Sequence, residues 1–381
     1  MSIFAKYLCL FAAFVSGEMV AQSTLHRADS LYENGQFSDA AKLYANISNE
    51  RGQLQLARSF QAIGLSNKAR ETYEKLWLYH PDFLLAGFEL GKWYATSGKP
   101  DLAKNIFKTL ISKDSLNPEY YYRLGLLEKT TNSYKSALEN FLTAIRLDSL
   151  HLKSVYQTGV VYTMFKAYNA AAEQVDKGLA IDSTNLELTS IRAQIYFNNR
   201  DYTEAIDFYQ KLLTNGQSDF FIYRDLAESY ERVGNLEWAL CYYEKAFALT
   251  DDDPEILFTM SKIYLNMEEP DFALKLVNQA IEERQYNFVR EYMHKGEIFK
   301  QQKDYKSALE AYLEAHEELP EDPTVYFQVC ILANFYYKDP QTKLNYFKAF
   351  LNKYGDRKTG FEDFVQSRIS ALNAEIHLSK E

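Results

Sequence analysis

The stretch 121–141, YYRLGLLEKTTNSYKSALENF, contains the pattern that decides the fold. Near its end lies Ala137, which belongs to a series in strict register. Alanine recurs at one constant interval, at Ala69, Ala103, Ala137, Ala171, Ala205, Ala239 and Ala273. Ala40 and Ala308 lie close to this register, and Thr342 takes the next place. A fixed period of this kind indicates an array of structural repeats.

Other residue types keep the same register. An aromatic ring follows the alanine by four positions in most repeats, at Tyr44, Tyr73, Phe107, Phe141, Tyr209, Tyr243, Tyr312 and Tyr346. A small residue precedes it by twelve, at Ala28, Ala57, Gly91, Gly125, Gly159, Ala193, Ala227, Ser261, Gly296 and Cys330. Small residues let two helices approach closely, and the rings fill the groove beside them. Each repeat is therefore predicted to be a helical hairpin, and the hairpins must stack to bury their apolar faces.

Proline placement supports these hairpins. Proline breaks a helix interior but is tolerated in the first helical turn. All eight prolines fall at predicted turns, and Asn117-Pro118, Asp253-Pro254 and Asp322-Pro323 read as an N-cap followed by the first residue of a helix.

The pattern resembles the tetratricopeptide repeat (TPR) family, whose signature is W-x2-L-G-x2-Y, then A-x3-F, then P. The resemblance covers roughly residues 24–350. Two departures are visible: no repeat has the opening tryptophan, which Tyr121 replaces in the stretch quoted above, and the tenth repeat has Thr342 in place of the alanine. The resemblance implies an all-α fold, a right-handed α-solenoid of about ten stacked TPR hairpins with a C-terminal capping helix.

The two ends of the chain differ from the repeats. Residues 1–21 have a positive start at Lys6, an apolar run from Tyr7 to Val15 and a small, polar end, which predicts a signal peptide cleaved after Ala21 or after Gly17. The solenoid is predicted over residues 24–357. Residues 358–381 carry an apolar stripe that predicts the capping helix, with a partner-binding amphipathic helix as the alternative.

Composition limits the classes of function. The chain has 381 residues and a net charge of −10, which disfavours nonspecific nucleic-acid binding because that needs lysine and arginine to neutralise phosphates. Three cysteines are too few for a disulfide scaffold. No phosphate-binding loop, H-E-x-x-H or C-x-x-C motif is present, and the six histidines are scattered over different repeats. We therefore predict no enzyme activity, no metal and no cofactor.

The resemblance also implies where a partner would bind. In TPR proteins the first helices of successive hairpins line a concave groove that holds a peptide or partner protein. The matching positions here are Arg58 and Lys92 at the N-terminal end, and Tyr122, Leu126, Tyr156, Val160, Met164 and Phe197 in the centre. An apolar centre with a polar surround is the expected layout of a protein-binding site. Tyrosine at the positions of Tyr122 and Tyr156 also has a packing explanation.

These observations predict a non-catalytic protein–protein interaction scaffold. The signal peptide and the few cysteines favour the periplasm, or the periplasmic face of the outer membrane, of a bacterial envelope. Association with outer-membrane or secretion components is one expectation for the partner. The alternative is a membrane-tethered or cytoplasmic TPR regulator that keeps its N-terminal segment.

Overall fold

The computed structural model describes residues 23–250, 252–284 and 288–379, and over these residues the chain is helical and contains no β-strand. The predicted signal peptide lies outside the described residues. The all-α prediction is confirmed. The chain divides into two compact units, Met1–Ile191 and Arg192–Glu381.

Each unit is built from antiparallel helix pairs. In the first unit, helix α1 covers residues 23–33. It is followed by α2 (Phe37–Tyr44), α3 (Glu50–Ala62), α4 (Ser66–Tyr79), α5 (Leu84–Thr96), α6 (Pro100–Lys113), α7 (Pro118–Thr130), α8 (Tyr134–Leu147), α9 (Leu152–Met164) and α10 (Tyr168–Ile181). Helix α11 (Leu186–Asn199) crosses the boundary between the units.

The second unit continues with the same pairing. Its further helices are α12 (Tyr202–Thr214), α13 (Phe220–Arg232), α14 (Leu236–Phe247), α15 (Pro254–Asn266), α16 (Pro270–Glu283), α17 (Val289–Gln301), α18 (Tyr305–Glu318), α19 (Pro323–Tyr336), α20 (Pro340–Tyr354) and α21 (Glu362–Leu378). Helices α2 to α10 of the first unit each pack on the next, as do α12 to α21 of the second. The first helices of neighbouring hairpins also touch, as α5 touches α7 and α15 touches α17. No helix in the described part of the chain is long and apolar enough to span a membrane.

The repeated small residue and the repeated ring pack directly against each other. A Cβ atom added to Gly91 would lie 2.9 Å from Phe107, and one added to Gly125 would lie 2.7 Å from Phe141. The recurrent alanines, including Ala103 and Ala137, are fully buried. The residues that recur in the sequence therefore form the cores of the hairpins.

The turns inside most hairpins use a left-handed residue, whereas the turn between α19 and α20 does not. Gly64, with φ of 80°, stands just after α3, and the following amide of Leu65 donates to the carbonyl of Phe60 across 2.8 Å. This is the Schellman ending, in which a left-handed residue lets the chain leave the helix while the last carbonyls keep partners. Lys166 and Lys303 take the same conformation in other hairpins.

The last hairpin and the terminal helix differ in detail from the sequence prediction. Thr342 does not replace the packing alanine, because its hydroxyl and amide bond to the N-cap carboxylate of Asp339 at 2.6 and 2.7 Å. Leu344 is the buried residue of that turn. Helix α21 packs on α20 and buries Val365, Ile369 and Leu372 against it, as expected of a cap.

Candidate functional site

Four of the predicted groove residues are equivalent positions in successive hairpins. They keep the constant repeat interval on α3, α5, α7 and α9 of the first unit, and each is half-buried: Arg58, Lys92, Leu126 and Val160. Stacked hairpins place equivalent positions side by side, so these residues form one row along the first helices. The row changes from cationic at its N-terminal end to apolar at Leu126 and Val160.

The cationic end of the row is held by a shared carboxylate. Arg58 on α3 and Lys92 on α5 donate to the two oxygens of Glu89, across 2.5 and 3.1 Å. Burial would raise the pKa of Glu89, but the hydrogen bonds from Arg58 and Lys92 outweigh it and lower the pKa. The Lys92 ammonium also lies 5.4 Å from the centre of the Phe88 ring. The two cations are therefore positioned by contacts within the protein.

A cleft of about 560 Å³ opens beside this row, between α5, α6 and α7. Its apolar wall includes Phe107, Leu126 and Leu127. Among the residues that the structure describes, the charged lining residues are Lys92 and Arg123, so neither an aspartate nor a glutamate lines it. Concave, mostly apolar sites with a few placed polar groups are the usual binding sites of proteins.

Arg123 is a site residue that the sequence analysis missed. Its Nε donates to Glu119 across 2.7 Å, and its guanidinium lies 5.5 Å from the centre of the Tyr122 ring. Glu119 is also in contact with His151 Nε2 at 3.2 Å. Burial would raise the pKa of Glu119, but the contacts with His151 and Arg123 lower it. The Arg123 Nη groups have no acceptor in the described part of the chain, so they remain available to a ligand.

The remaining predicted residues have different environments. Tyr122 is only 9% exposed and packs against Phe141 and the His151 ring, so its part is mainly structural. Tyr156 is half-buried, and burial, followed by the charge of Glu187, raises its pKa. Met164 is 51% exposed at the end of α9.

Phe197 belongs to the second unit, where its ring packs edge-on against Tyr202 at 5.9 Å. The structure therefore assembles Lys92 and Leu126 with Arg123 in one cleft, and gives Tyr122 and Phe197 packing partners of their own.

Apart from its two cations, the polar side chains that line the cleft are hydroxyls. Its hydroxyls belong to Thr96, Thr130 and Thr131, and each bonds back to a carbonyl of its own helix. A nucleophilic hydroxyl needs an adjacent base, and no histidine, aspartate or glutamate lines this cleft in the described part of the chain. Over the same residues no group of three potential ligands is placed to hold a metal ion.

Comparison with known families agrees with the hairpin architecture. Tetratricopeptide repeat models match residues 51–82, 88–149, 168–220 and 290–317. No curated protein matches the chain.

Solved structures to which the chain is similar are distant in sequence. The C-terminal part of a TPR repeat-containing protein from Cytophaga hutchinsonii is 17% identical, with a TM-score of 0.55, over 63% of this chain and 98% of that one. A tetratricopeptide repeat protein from Parabacteroides merdae is 19% identical, with a TM-score of 0.48, over 66% and 98%. YrrB, described as a TPR protein with an unusual peptide-binding site, is 18% identical, with a TM-score of 0.42, over 54% and 96%. At 17% identity the likeness to the Cytophaga hutchinsonii protein concerns the fold alone.

Proposed function

Because the chain is a tetratricopeptide repeat protein, we propose that it is a non-catalytic scaffold of the bacterial cell envelope that binds a partner peptide or protein along the first helices of its hairpins. Repeats of this family imply protein–protein interaction. The observation that supports a site in the first unit is the cleft between α5, α6 and α7, with its apolar wall and its two cations.

The lining of the cleft specifies the chemistry of the segment it would hold. The apolar wall at Phe107, Leu126 and Leu127 suits a bulky apolar side chain, which gains about 25 cal/mol for each Å² removed from water. Lys92 and Arg123 suit a carboxylate next to that side chain, because charge-assisted hydrogen bonds are the stronger ones. The partner segment is therefore an apolar residue flanked by an acidic one.

The test starts with affinity capture from a solubilised envelope fraction, using the chain from residue 22 onward as bait. Each captured protein is then purified and titrated against the wild type and Leu126→Asp, which places a charge on the apolar wall and next to the expected carboxylate. We expect the Kd of the true partner to rise at least tenfold, which corresponds to a loss of about 1.4 kcal/mol of binding free energy.

The matched control is Leu116→Asp, which makes the same exchange at a leucine that is 74% exposed in the loop before α7 and does not line the cleft. This variant is expected to bind like the wild type. Circular dichroism first establishes that both variants are folded. Equal Kd values for wild type and Leu126→Asp would place the binding surface elsewhere, and failure to capture any direct binder would count against the scaffold.

The envelope location rests on residues 1–21 and has its own test. Export predicts that the protein recovered from cells begins at residue 22, or at residue 18 for the alternative cleavage site, and that it fractionates with the envelope. Intact-mass spectrometry of the natural protein measures this. A mass that includes residues 1–17 supports the alternative of a tethered or cytoplasmic regulator.

A further inference from the structure

Two aromatic side chains of the second unit are half-exposed at equivalent places. Trp238 is the third residue of α14 and Phe272 is the third residue of α16, so they are separated by one repeat interval. Trp238 is 50% exposed and Phe272 is 55% exposed. Equivalent positions of stacked hairpins lie along one edge, here the edge where the first helix of each hairpin turns into the second. We call Trp238 and Phe272 the aromatic edge.

Each of these rings is backed by tyrosine. The Trp238 ring stacks on Tyr230 and Tyr242, with centroids 6.1 and 5.9 Å apart and planes within 26°. The Phe272 ring stacks on Tyr264 at 5.3 Å and 24°. Both rings are therefore half-exposed and each contacts a nearly parallel tyrosine ring. The electron-rich face of an aromatic ring attracts cations.

A cation already lies over tyrosines that neighbour Trp238. The Lys245 ammonium lies 4.7 Å from the centre of the Tyr242 ring and 5.9 Å from that of Tyr223. In the part of the chain that the structure describes, neither lysine nor arginine lies over Trp238 or Phe272. These two tyrosines therefore have a cation partner within the protein, whereas Trp238 and Phe272 have none among the described residues.

The surroundings of the aromatic edge are acidic. Glu237 precedes Trp238, and Glu268 and Glu269 form the turn before α16. Among the described residues these three carboxylates have no salt-bridge partner. The negative charge also acts on Tyr264, which stacks on Phe272. The pKa of Tyr264 is raised first by burial and then by the charges of Glu244 and Glu269. A half-exposed aromatic ring beside unpaired carboxylates is complementary to a cation.

We propose that the aromatic edge is a second binding surface, which takes arginine side chains from a basic segment of a partner protein. Arginine fits better than lysine because its planar guanidinium stacks on an aromatic face and still donates to a neighbouring carboxylate. This surface lies in the second unit and is separate from the cleft of the first unit, so it adds to the proposed function and does not depend on it.

The probe is a peptide of alternating glycine and arginine with three arginines, acetylated and amidated at its ends. Its matched control has citrulline in place of arginine, which keeps the shape and removes the charge. Both are titrated into the full-length protein by calorimetry at low and at physiological salt. We expect the arginine peptide to bind at least tenfold more tightly than the citrulline peptide.

The variant Trp238→Ala/Phe272→Ala distinguishes binding to the two rings from nonspecific attraction to an acidic protein, because it removes the rings and leaves the net charge unchanged. An exposed cation–π contact contributes about 0.5–1 kcal/mol, so loss of both should raise the Kd about 5- to 25-fold. Leu102→Ala is the control, since Leu102 occupies the equivalent position of an earlier hairpin and is also exposed. It is expected to leave the Kd unchanged.

Three results would overturn the proposal. The double variant binds the arginine peptide as the wild type does, the citrulline peptide binds equally well, or the wild type binds neither peptide. A further variant, Glu268→Gln/Glu269→Gln, is expected to weaken binding more at low salt than at physiological salt, because screening already reduces exposed ion pairs there. A change in Trp238 fluorescence on adding the arginine peptide, absent from the double variant, reports contact at the ring itself.

Discussion

The buried carboxylate of Glu291 links helix α17 to the end of α16. Its side chain is 0% exposed, and one oxygen accepts from Arg290 at 2.9 Å and lies 3.5 Å from Arg284. Both arginines also pair with Glu255, which is largely exposed. The other Glu291 oxygen is buried without a partner. The same two guanidinium groups therefore contact one buried and one exposed carboxylate, which makes an internal comparison possible.

We predict that Glu291→Ala lowers the free energy of unfolding of this region by about 2 kcal/mol, because it removes a charge-assisted hydrogen bond to a fully buried carboxylate and leaves a cavity in its place. Glu255→Ala is expected to cost at most about 1 kcal/mol, since exposed ion pairs contribute little. Urea denaturation, together with hydrogen exchange of α15–α17, measures both. A larger loss for Glu255→Ala than for Glu291→Ala would contradict this account of the network.

His294 makes the second unit sensitive to acid. Burial, and then the nearby charge of Lys262, lower the pKa of His294 to about 4, while Ser261, Glu297 and Glu291 act in the opposite direction. Its ring contacts the Ser261 hydroxyl at 3.1 Å. The unfolded chain, with a histidine pKa near its usual value of about 6.5, binds the proton more readily than the folded protein does.

The free energy of unfolding should therefore decrease as pH falls from about 6.5 towards 4, and His294 should account for up to about 3 kcal/mol of that decrease. Above this range His294 should not make stability depend on pH. His294→Gln removes the titration. We expect the difference in unfolding free energy between wild type and His294→Gln to be constant above pH 7 and to shift against the wild type as pH falls. Urea melts at pH 5 and pH 7.5 measure it, and parallel pH profiles for the two proteins would refute it.

At the scale of residues, the sequence identified the row but not the whole cleft. Lys92 and Leu126 followed from their repeat positions. Arg123 did not, because it lies one residue outside the expected groove register and reaches the cleft only through its long side chain. Tyr122 was predicted to contact the partner, yet its ring packs against Phe141 and His151. A repeat position alone does not reveal such packing partners.

At the scale of elements, the turns inside the hairpins carry different amounts of strain. Gly35, Gly64, Gly98 and Gly234 provide the left-handed residue in four of them. Lys303 takes the same conformation with φ of 61°. A side chain in this conformation costs roughly 1–2 kcal/mol, which glycine avoids because it lacks a Cβ atom.

We predict that Lys303→Gly stabilises the hairpin of α17 and α18 by about 1 kcal/mol. Lys306→Gly is the matched control: it also removes one lysine, but from the first turn of α18, where glycine costs about 1 kcal/mol through its low helix propensity. Thermal unfolding measures the two shifts, which should have opposite signs. Destabilisation by Lys303→Gly would show that the lysine side chain makes a contact that outweighs the strain.

The helices were predictable from the sequence, and individual pairs of contacting residues show why. The contact between Gly125 and Phe141 requires a small residue and a ring at fixed separation, so it leaves a regular trace in the sequence. The left-handed conformation of Lys166 leaves no such trace, because only the geometry of neighbouring turns demands it. The stack of Trp238 on Tyr230 and Tyr242 likewise joins residues of two helices, and the repeat interval alone does not reveal it.

At the scale of the whole molecule, a stacked array contacts mainly its neighbours, so the last hairpin needs a cover of its own. In this chain α21 provides it for the second unit. Phe347, Phe350 and Tyr354 of α20 are fully buried in a cluster completed by Val365 and Leu372 of α21. Without α21 these three rings would be exposed to solvent, which would destabilise the hairpins nearest the C-terminus.

Deletion of residues 358–381 is therefore predicted to loosen α19 and α20, to increase binding of a dye that reports exposed apolar surface and to promote self-association. Hydrogen exchange should rise in α19 and α20 and stay unchanged in α3–α6 of the first unit, since each hairpin contacts mainly its neighbours. Leu372→Asp tests the same burial by one substitution, and Ser370→Asp, at an exposed position of α21, is its control. If the truncated chain and Leu372→Asp remain monomeric with unchanged exchange in α20, then α21 is not a structural cap, and the alternative of a helix reserved for a partner becomes the better explanation.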